Sequence, residues 1–429
     1  MSRPTRSDEA DAQLRQRAVQ MFRAGQSPTA ISSGLHRSRS WVYAWVAYQR
    51  AHPHTRFRSG SRAPRHSPHR TSRQMVYRVL RLRQMLEGRR QPRLRYAPIG
   101  ARTIRRELGK RRVKPLPSLS TIQRVLQRQG LTHPSPVADA HPYRPHPAAT
   151  YPNAVQATDI VTRWLTGGEV VQTFTTVDHF TNTAYATPHT NKRVEAARTH
   201  LLKTWESQGI PDVAQFDNES AFRGGRHPHQ LSKIVRLCLY VGADVLFTPE
   251  YEADYNWVVE TFNNFWVHQC WEKHRFTGRA HLPRVFQRFL KWYDTDYIAP
   301  RQTDTPQRLR RGHCLHRLPQ HLAEQIPASR DLPICRGHVH AVRRVGADGR
   351  VMFLNEPVRV GKRYHDRYVW LTLNTAHQTL TVYYQADAEA DWQTLKVYPY
   401  PFDEPVRRVP KPFAGLHARS TLGRPPDDT

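Results

Sequence analysis

A chain of 429 residues is too long for one typical domain and points to several. Its 66 Lys and Arg stand against 35 Asp and Glu, and the formal net charge of +31 argues for a polyanionic partner. No apolar run of roughly 18 residues and no secretory signal are found, which argues against a membrane as that partner and for a cytoplasmic protein.

Residues 1–50 carry a three-helix pattern. Leu14, Ala18 and Phe22 share a face that stops at Gly25, and Ser27-Pro28 supplies a cap and first-turn proline for a short helix through Ile31. After the Gly34-Leu35 turn, Ser38 caps a third helix containing Trp41, Val42, Trp45 and Val46. Arg37, Ser38, Arg39, Ser40 and Tyr43 are left for contacts with DNA. This is the spacing of a helix-turn-helix, whose last helix brings its N-terminal residues to base edges. An ordinary three-helix bundle shares the pattern, and the charge favours DNA.

Residues 51–72, rich in Arg, His, Ser and Pro, read as a basic linker. From 73 to 131 a second helical unit follows. Met75, Val79, Leu82 and Leu86 share a face, then come Ile104 and Leu108, and Ser118 caps a helix with Ile122, Val125 and Leu126. It is read as a second helix-turn-helix. Residues 132–150 form a Pro-rich linker. Two small modules on tethers gain avidity without new contacts.

Between 151 and 300 the pattern is α/β. Strands are expected near 155–161, 170–177, 183–187, 213–217 and 244–248, with helices near 191–208 and 229–241. Three acids stand out. Asp159 falls on the same strand face as Val155, Ala157 and Val161, and the run Val213 to Phe216 stops on Asp217. Val258, Phe262, Phe265 and Trp266 mark the buried face of a helix from which Glu260 points away. Two acids at strand ends and one on a free helix face are placed to converge on divalent metal.

In order, the motifs are the strand ending in Asp159 and the Val170–Val177 run leading to Asp178-His179-Phe180-Thr181. Then come Phe216-Asp217-Asn218-Glu219-Ser220-Ala221-Phe222 and Asn256-x-x-Val259-Glu260-x-Phe262-Asn263. Together they resemble DDE transposases of bacterial insertion sequences, in the branch with a retroviral-integrase-like catalytic core. The resemblance implies a multidomain chain whose ribonuclease-H-like α/β core, residues 151–300, ends Asp159 and Asp217 on neighbouring strands and lowers Glu260 from a helix. It makes Asp159, Asp217 and Glu260 the catalytic and metal-binding residues, with Asp178 and Glu219 as supporting acids. It further implies two divalent ions, Mg²⁺ or Mn²⁺, cleavage of phosphodiesters at element ends, and strand transfer into target DNA. The partners are then double-stranded DNA, as transposon ends and target, and further copies of the chain as a homo-oligomer on DNA. The location is cytoplasmic and nucleoid-associated in a bacterium. The alternative is a catalytically inactive, transposase-derived DNA-binding regulator.

Two departures from the family pattern stand in the core. The stretch from Asp217 to Glu260 is longer than usual, with the excess assigned to the Gly224-Gly225-Arg226-His227-Pro228 turn, and Glu252, nearer the usual spacing, is the competitor. Trp257 replaces the usual Gly, and Asn256 is expected to cap the Glu260 helix.

Past the core, Val285, Phe286, Phe289 and Leu290 mark one more helix ending near Tyr297. Residues 301–333 form a basic connector. Between 334 and 402 the period turns to alternation, with a Gly346 to Gly349 turn, and a small β-barrel is expected. It resembles the SH3-like C-terminal domain of integrase relatives; a purely structural barrel is the alternative reading. Residues 403–429 read as a disordered tail. Cys238, Cys270, Cys314 and Cys335 lack CxxC spacing, so neither a zinc module nor a disulfide framework is expected. The proximity of His313 and His316 to Cys314 is attributed to chance in a chain with 24 histidines.

Overall fold

The computed structural model describes residues 6–54, 57, 71–88, 94–132, 142–224, 229–276, 278–298 and 317–414. The chain divides into two compact units, Met1–Met75 and Val76–Thr429. In the first, α1 (Arg6–Arg23), α2 (Pro28–Leu35) and α3 (Arg39–Ala51) pack around Ala18, Val19, Ile31, Val42 and Val46. Ser27 and Ser38 cap α2 and α3 by accepting from the Ala30 and Trp41 amides, each at 3.2 Å. Phe57, within the expected linker, is buried in this core and its carbonyl accepts from Arg15 at 3.0 Å. Most of the linker lies outside the described residues.

The second helical group consists of α4 (Arg73–Gly88), α5 (Ala101–Lys110) and α6 (Leu119–Arg128), with the expected apolar positions buried. It does not stand apart as a tethered module, because from Val76 onward it belongs to the same compact unit as the core. Tyr96 meets Phe289 edge-on at 5.3 Å, and its hydroxyl lies 3.4 Å from His274 Nε2. Residues 133–141 of the Pro-rich segment are outside the described residues, but Tyr143 to His146 form a strap rather than a free linker. Arg144 pairs with Glu252 and Asp254 at 3.0 and 2.6 Å, and His146 stacks on Tyr255 at 4.1 Å.

The core is a mixed sheet. It begins with β1 (Val155–Trp164), β2 (Val170–Asp178), β3 (Ala184–His189), α7 (Val194–Gln208), β4 (Val213–Phe216), the short α8 (Ser220–Arg223), α9 (Lys233–Tyr240) and β5 (Asp244–Phe247). After β5 come α10 (Trp257–Gln269) and α11 (Leu282–Trp292). A π-turn, Tyr293–Ile298, follows α11. β1, β2 and β3 are antiparallel neighbours, and β4 and β5 add in parallel on the other side of β1. Phe174 and Thr175 show both faces at work. Phe174 packs with Ala197 and Leu201 of α7, whereas Thr175, pointing the other way, donates to Asn263 of α10 at 2.7 Å. Helices therefore cover both faces.

The C-terminal strands correct the expectation of a separate SH3-like barrel. β6 (His338–Arg344), β9 (Tyr368–Asn374), β10 (Thr379–Tyr384) and β11 (Gln393–Pro399) continue the core sheet. Its order among the described residues is β11-β10-β9-β6-β5-β4-β1-β2-β3. β6 pairs in parallel with β5, Val245 opposite Val339. Only β7 (Arg350–Phe353) and β8 (Glu356–Arg359) form a hairpin of their own. The cause is visible in β5, where Val245, Leu246 and Phe247 are all buried, so the strand needs a neighbour on each side and a cover on each face. Residues 301–316 of the connector, with Cys314, lie outside the described residues; Leu318, Ile326 and Leu332 after them are buried. The tail is not disordered from 403. Arg407 bonds across Ile334 and Arg336, Glu404 meets Arg236 at 2.6 Å, and Phe413 is buried in the main core. Residues 415–429 are outside the described residues.

Candidate active site

The parallel ladder of β1 and β4 aligns Thr158 with Phe216, so the next residues, Asp159 and Asp217, leave the ladder side by side. This is the carboxyl end of the parallel strands, where open α/β sheets place their ligand sites. Glu260 sits in the first turn of α10 and faces the same cleft, a cavity of about 780 Å³ that all three acids line with Asn218 and Tyr251. The three residues singled out in sequence are thus brought together.

Each acid is held differently. Asp159 Oδ1 accepts from the Ile160 amide at 2.7 Å, and Oδ2 accepts from Asn263 Nδ2 at 2.6 Å. Asn263 lies one turn beyond Glu260, and its own carbonyl oxygen accepts from Thr175, so a single turn of α10 serves two of the acids. Asp217 accepts from the Glu219 amide at 3.1 Å. The sequence-expected cap does not form: Asn256 closes a 3₁₀ turn, Ala253–Asn256, and its Oδ1 accepts from Gln215 at 2.8 Å. Trp257 is 58% exposed, outside the core.

The charges are only partly compensated, the Lys192 charge opposing the rise at Asp217. Burial, and then the Asp159 charge, push Asp217 up to about 7. Burial raises Asp159 against the hydrogen bonds of Ile160 and Asn263, and burial followed by the Asp159 charge raises Glu260. Among the described residues no Lys or Arg forms an ion pair with any of the three; Lys192 is instead bonded to Glu219 at 2.8 Å. An all-oxygen set of carboxylates, raised first by burial and then by neighbouring acid charges and opening on a cleft, fits a hard divalent cation.

The neighbouring acids are already used. Glu252, the competitor for the third position, lines the cleft but is bonded to Arg144 at 3.0 Å and to the Tyr368 hydroxyl at 2.5 Å. Asp178 braces a loop, accepting from the Asn153 and Thr181 amides at 2.9 and 2.8 Å. Sequence reasoning missed Arg343. Buried on β6, it donates to the carbonyls of Thr248 and Met352 at 2.7 and 2.9 Å and to Asn218 Oδ1 at 2.8 Å, behind the cleft. Its signal was of the kind that marks Asp159, since Arg343 alternates with Val339 and Ala341 and so places a charge on an apolar strand face. Asn263 also carried one, its three-residue spacing from Glu260.

In the first unit, Arg37, Ser38, Arg39, Ser40 and Tyr43 are all exposed around the start of α3. Arg37 also lies 3.5 Å from Asp11.

No protein-family model and no curated protein matches the chain. Among solved structures, it is similar to the HTLV-2 integrase catalytic core domain in complex with magnesium, in a dimeric form. That match has 16% identity and a TM-score of 0.26, covering 34% of this chain and 88% of that one. The trimeric form gives 14% identity and a TM-score of 0.26, over 34% and 86%. A chain of the simian T-cell lymphotropic virus intasome, in complex with PP2A regulatory subunit B56 gamma, gives 13% identity and a TM-score of 0.34 over 71% of this chain and 96% of that one.

Proposed function

We propose that the protein is a DNA transposase of the DDE type, a polynucleotidyl transferase that cleaves element ends and joins them to target DNA. The observation that carries this reading is the convergence of Asp159, Asp217 and Glu260 on one cleft, none of them in an ion pair with a Lys or Arg among the described residues. These residues would hold Mg²⁺ or Mn²⁺. Two such ions would stabilise charge on both the attacking and the leaving oxygen of an in-line displacement. The chain's own part is positional. Asn263 and the Ile160 amide fix both oxygens of Asp159, and α10 keeps Glu260 on the cleft wall.

The rest of the chain supports binding to DNA. The net charge of +31 favours a polyanion, and the exposed start of α3 is assigned to base contacts in a helix-turn-helix. Exposed Arg102, Arg105, Arg124 and Arg128 on α5 and α6 are assigned to phosphates. The working form is taken as a homo-oligomer on DNA in a bacterial nucleoid.

The test uses the full-length protein with Mg²⁺ and the DNA that flanks its coding region. Nicked ends and joined products, both lost in Asp159→Asn, are expected. Tight, selective binding without cleavage in either Mg²⁺ or Mn²⁺ would instead identify the inactive regulator.

A further inference from the structure

At the end of the parallel strands opposite the acidic cleft, β6 carries His338 and His340 on one face, and Asp244 opens the neighbouring β5. One ligand atom from each of the three lies within 4.8 Å of the others. His338 Nδ1 is 3.4 Å from Asp244 Oδ2. The edge of a tetrahedron around a zinc ion bound at about 2.0–2.1 Å is about 3.3 Å. The two imidazoles lie nearly parallel, 20° apart with centroids at 5.8 Å.

The outer contacts orient all three groups. The His338 amide donates to Asp244 Oδ1 at 2.7 Å. His340 Nδ1 accepts from Trp370 Nε1 at 3.2 Å and lies 2.9 Å from Thr372 Oγ1, both on β9. Ligation at Nε2 requires the ring proton on Nδ1, where Thr372 Oγ1 can accept it in place of the Trp370 bond. Gly337 makes the room, since a Cβ there would stand 3.2 Å from Asp244 Oδ1 and 2.7 Å from Leu239 Cδ2.

We propose that Asp244, His338 and His340 form a second metal site, for a zinc-class ion, that staples β5 to β6. Two imidazoles and one carboxylate select Zn²⁺ or Co²⁺ over Mg²⁺, the reverse of the all-carboxylate cleft. The site is independent of the proposed activity.

The test is chelator-stripped full-length protein titrated with Co²⁺ and Zn²⁺ in excess Mg²⁺. One equivalent of Co²⁺ with the strong visible absorption of a tetrahedral nitrogen-containing site is expected, with a rise in Tm when Zn²⁺ replaces it. His338→Gln should lose that absorption and weaken Zn²⁺ binding at least about 100-fold. Should His338→Gln fail to fold, Asp244→Asn carries the same measurement. Absence of uptake, or uptake unchanged in a folded variant, overturns the site and leaves the trio as hydrogen bonds between strands.

Discussion

The Arg343 guanidinium donates to Asn218 Oδ1 at 2.8 Å, so a strand from the C-terminal third braces the residue beside Asp217. Asn218 in turn donates to the Thr248 carbonyl at 2.8 Å, the same oxygen that Arg343 reaches at 2.7 Å. Arg343→Met removes the donor to Asn218 Oδ1 and to the Met352 carbonyl, and leaves the Thr248 carbonyl with Asn218 alone. It should cost about 3 kcal/mol of stability. It should also raise the Mg²⁺ concentration for half-maximal joining, measured at a temperature where the variant is folded. An unchanged Mg²⁺ requirement would reduce Arg343 to a purely structural part.

Glu260→Gln and Glu252→Gln separate the two candidates for the third acid. Glu260 makes no ion pair among the described residues, whereas Glu252 is committed to Arg144 and Tyr368. Strand transfer on pre-cleaved ends should fall at least about a thousandfold in Glu260→Gln, an effect of the size seen when transition-state charge stabilisation is removed. Glu252→Gln should lower Tm and keep joining activity. The opposite pattern would reassign the site.

The metal-free acid cluster should make stability fall as pH rises. Asp217 is held near 7 in the folded chain by burial and the Asp159 charge, while an unfolded Asp releases its proton near 4. Below about 4 both states are protonated and the group contributes nothing. Between about 4 and 7 the unfolded state loses its proton first, which favours unfolding. In chelator, Asp217→Asn should therefore gain Tm over the parent as pH rises through that window, with a constant difference above it. Metal binding displaces the same proton, so Mg²⁺ affinity should weaken as pH drops below about 7.

A chain ending at residue 333 should not fold. It would strip β6 from β5 and remove Val339, Ala341 and Leu371 from the core that holds Phe216 and Phe247. Circular dichroism and protease resistance of the truncated protein check this. A cooperative melt would show that the core stands without its C-terminal strands.

Asp159 and Asp217 were legible because each breaks a local rule, a charge on an apolar strand face or at the end of an apolar run, whereas Glu260 was legible through its motif, Val259-Glu260-x-Phe262-Asn263. The α/β order and the serine caps at Ser27, Ser38 and Ser118 were legible for similar reasons, being short-range. What stayed hidden depends on partners far along the chain. Alternation in Val339 to Val342 tells which residues share a face, but not which strand lies alongside, so β6 looked like part of a barrel. Glu252 looked like a possible ligand because Arg144, 108 residues earlier, sat in a segment read as linker.

The insertion of β6 beside β5 also sets a clock on synthesis. Arg343 lies 125 residues after Asn218. At about 5–20 residues per second a ribosome needs roughly 6–25 s to cover that distance. Throughout that interval the emerging chain already holds Asp159 and Asp217 but not the strand that braces Asn218 beside them. A nascent or prematurely terminated chain therefore carries the basic N-terminal helices without a finished cleft; under the proposed function it would occupy DNA before, or instead of, cutting it.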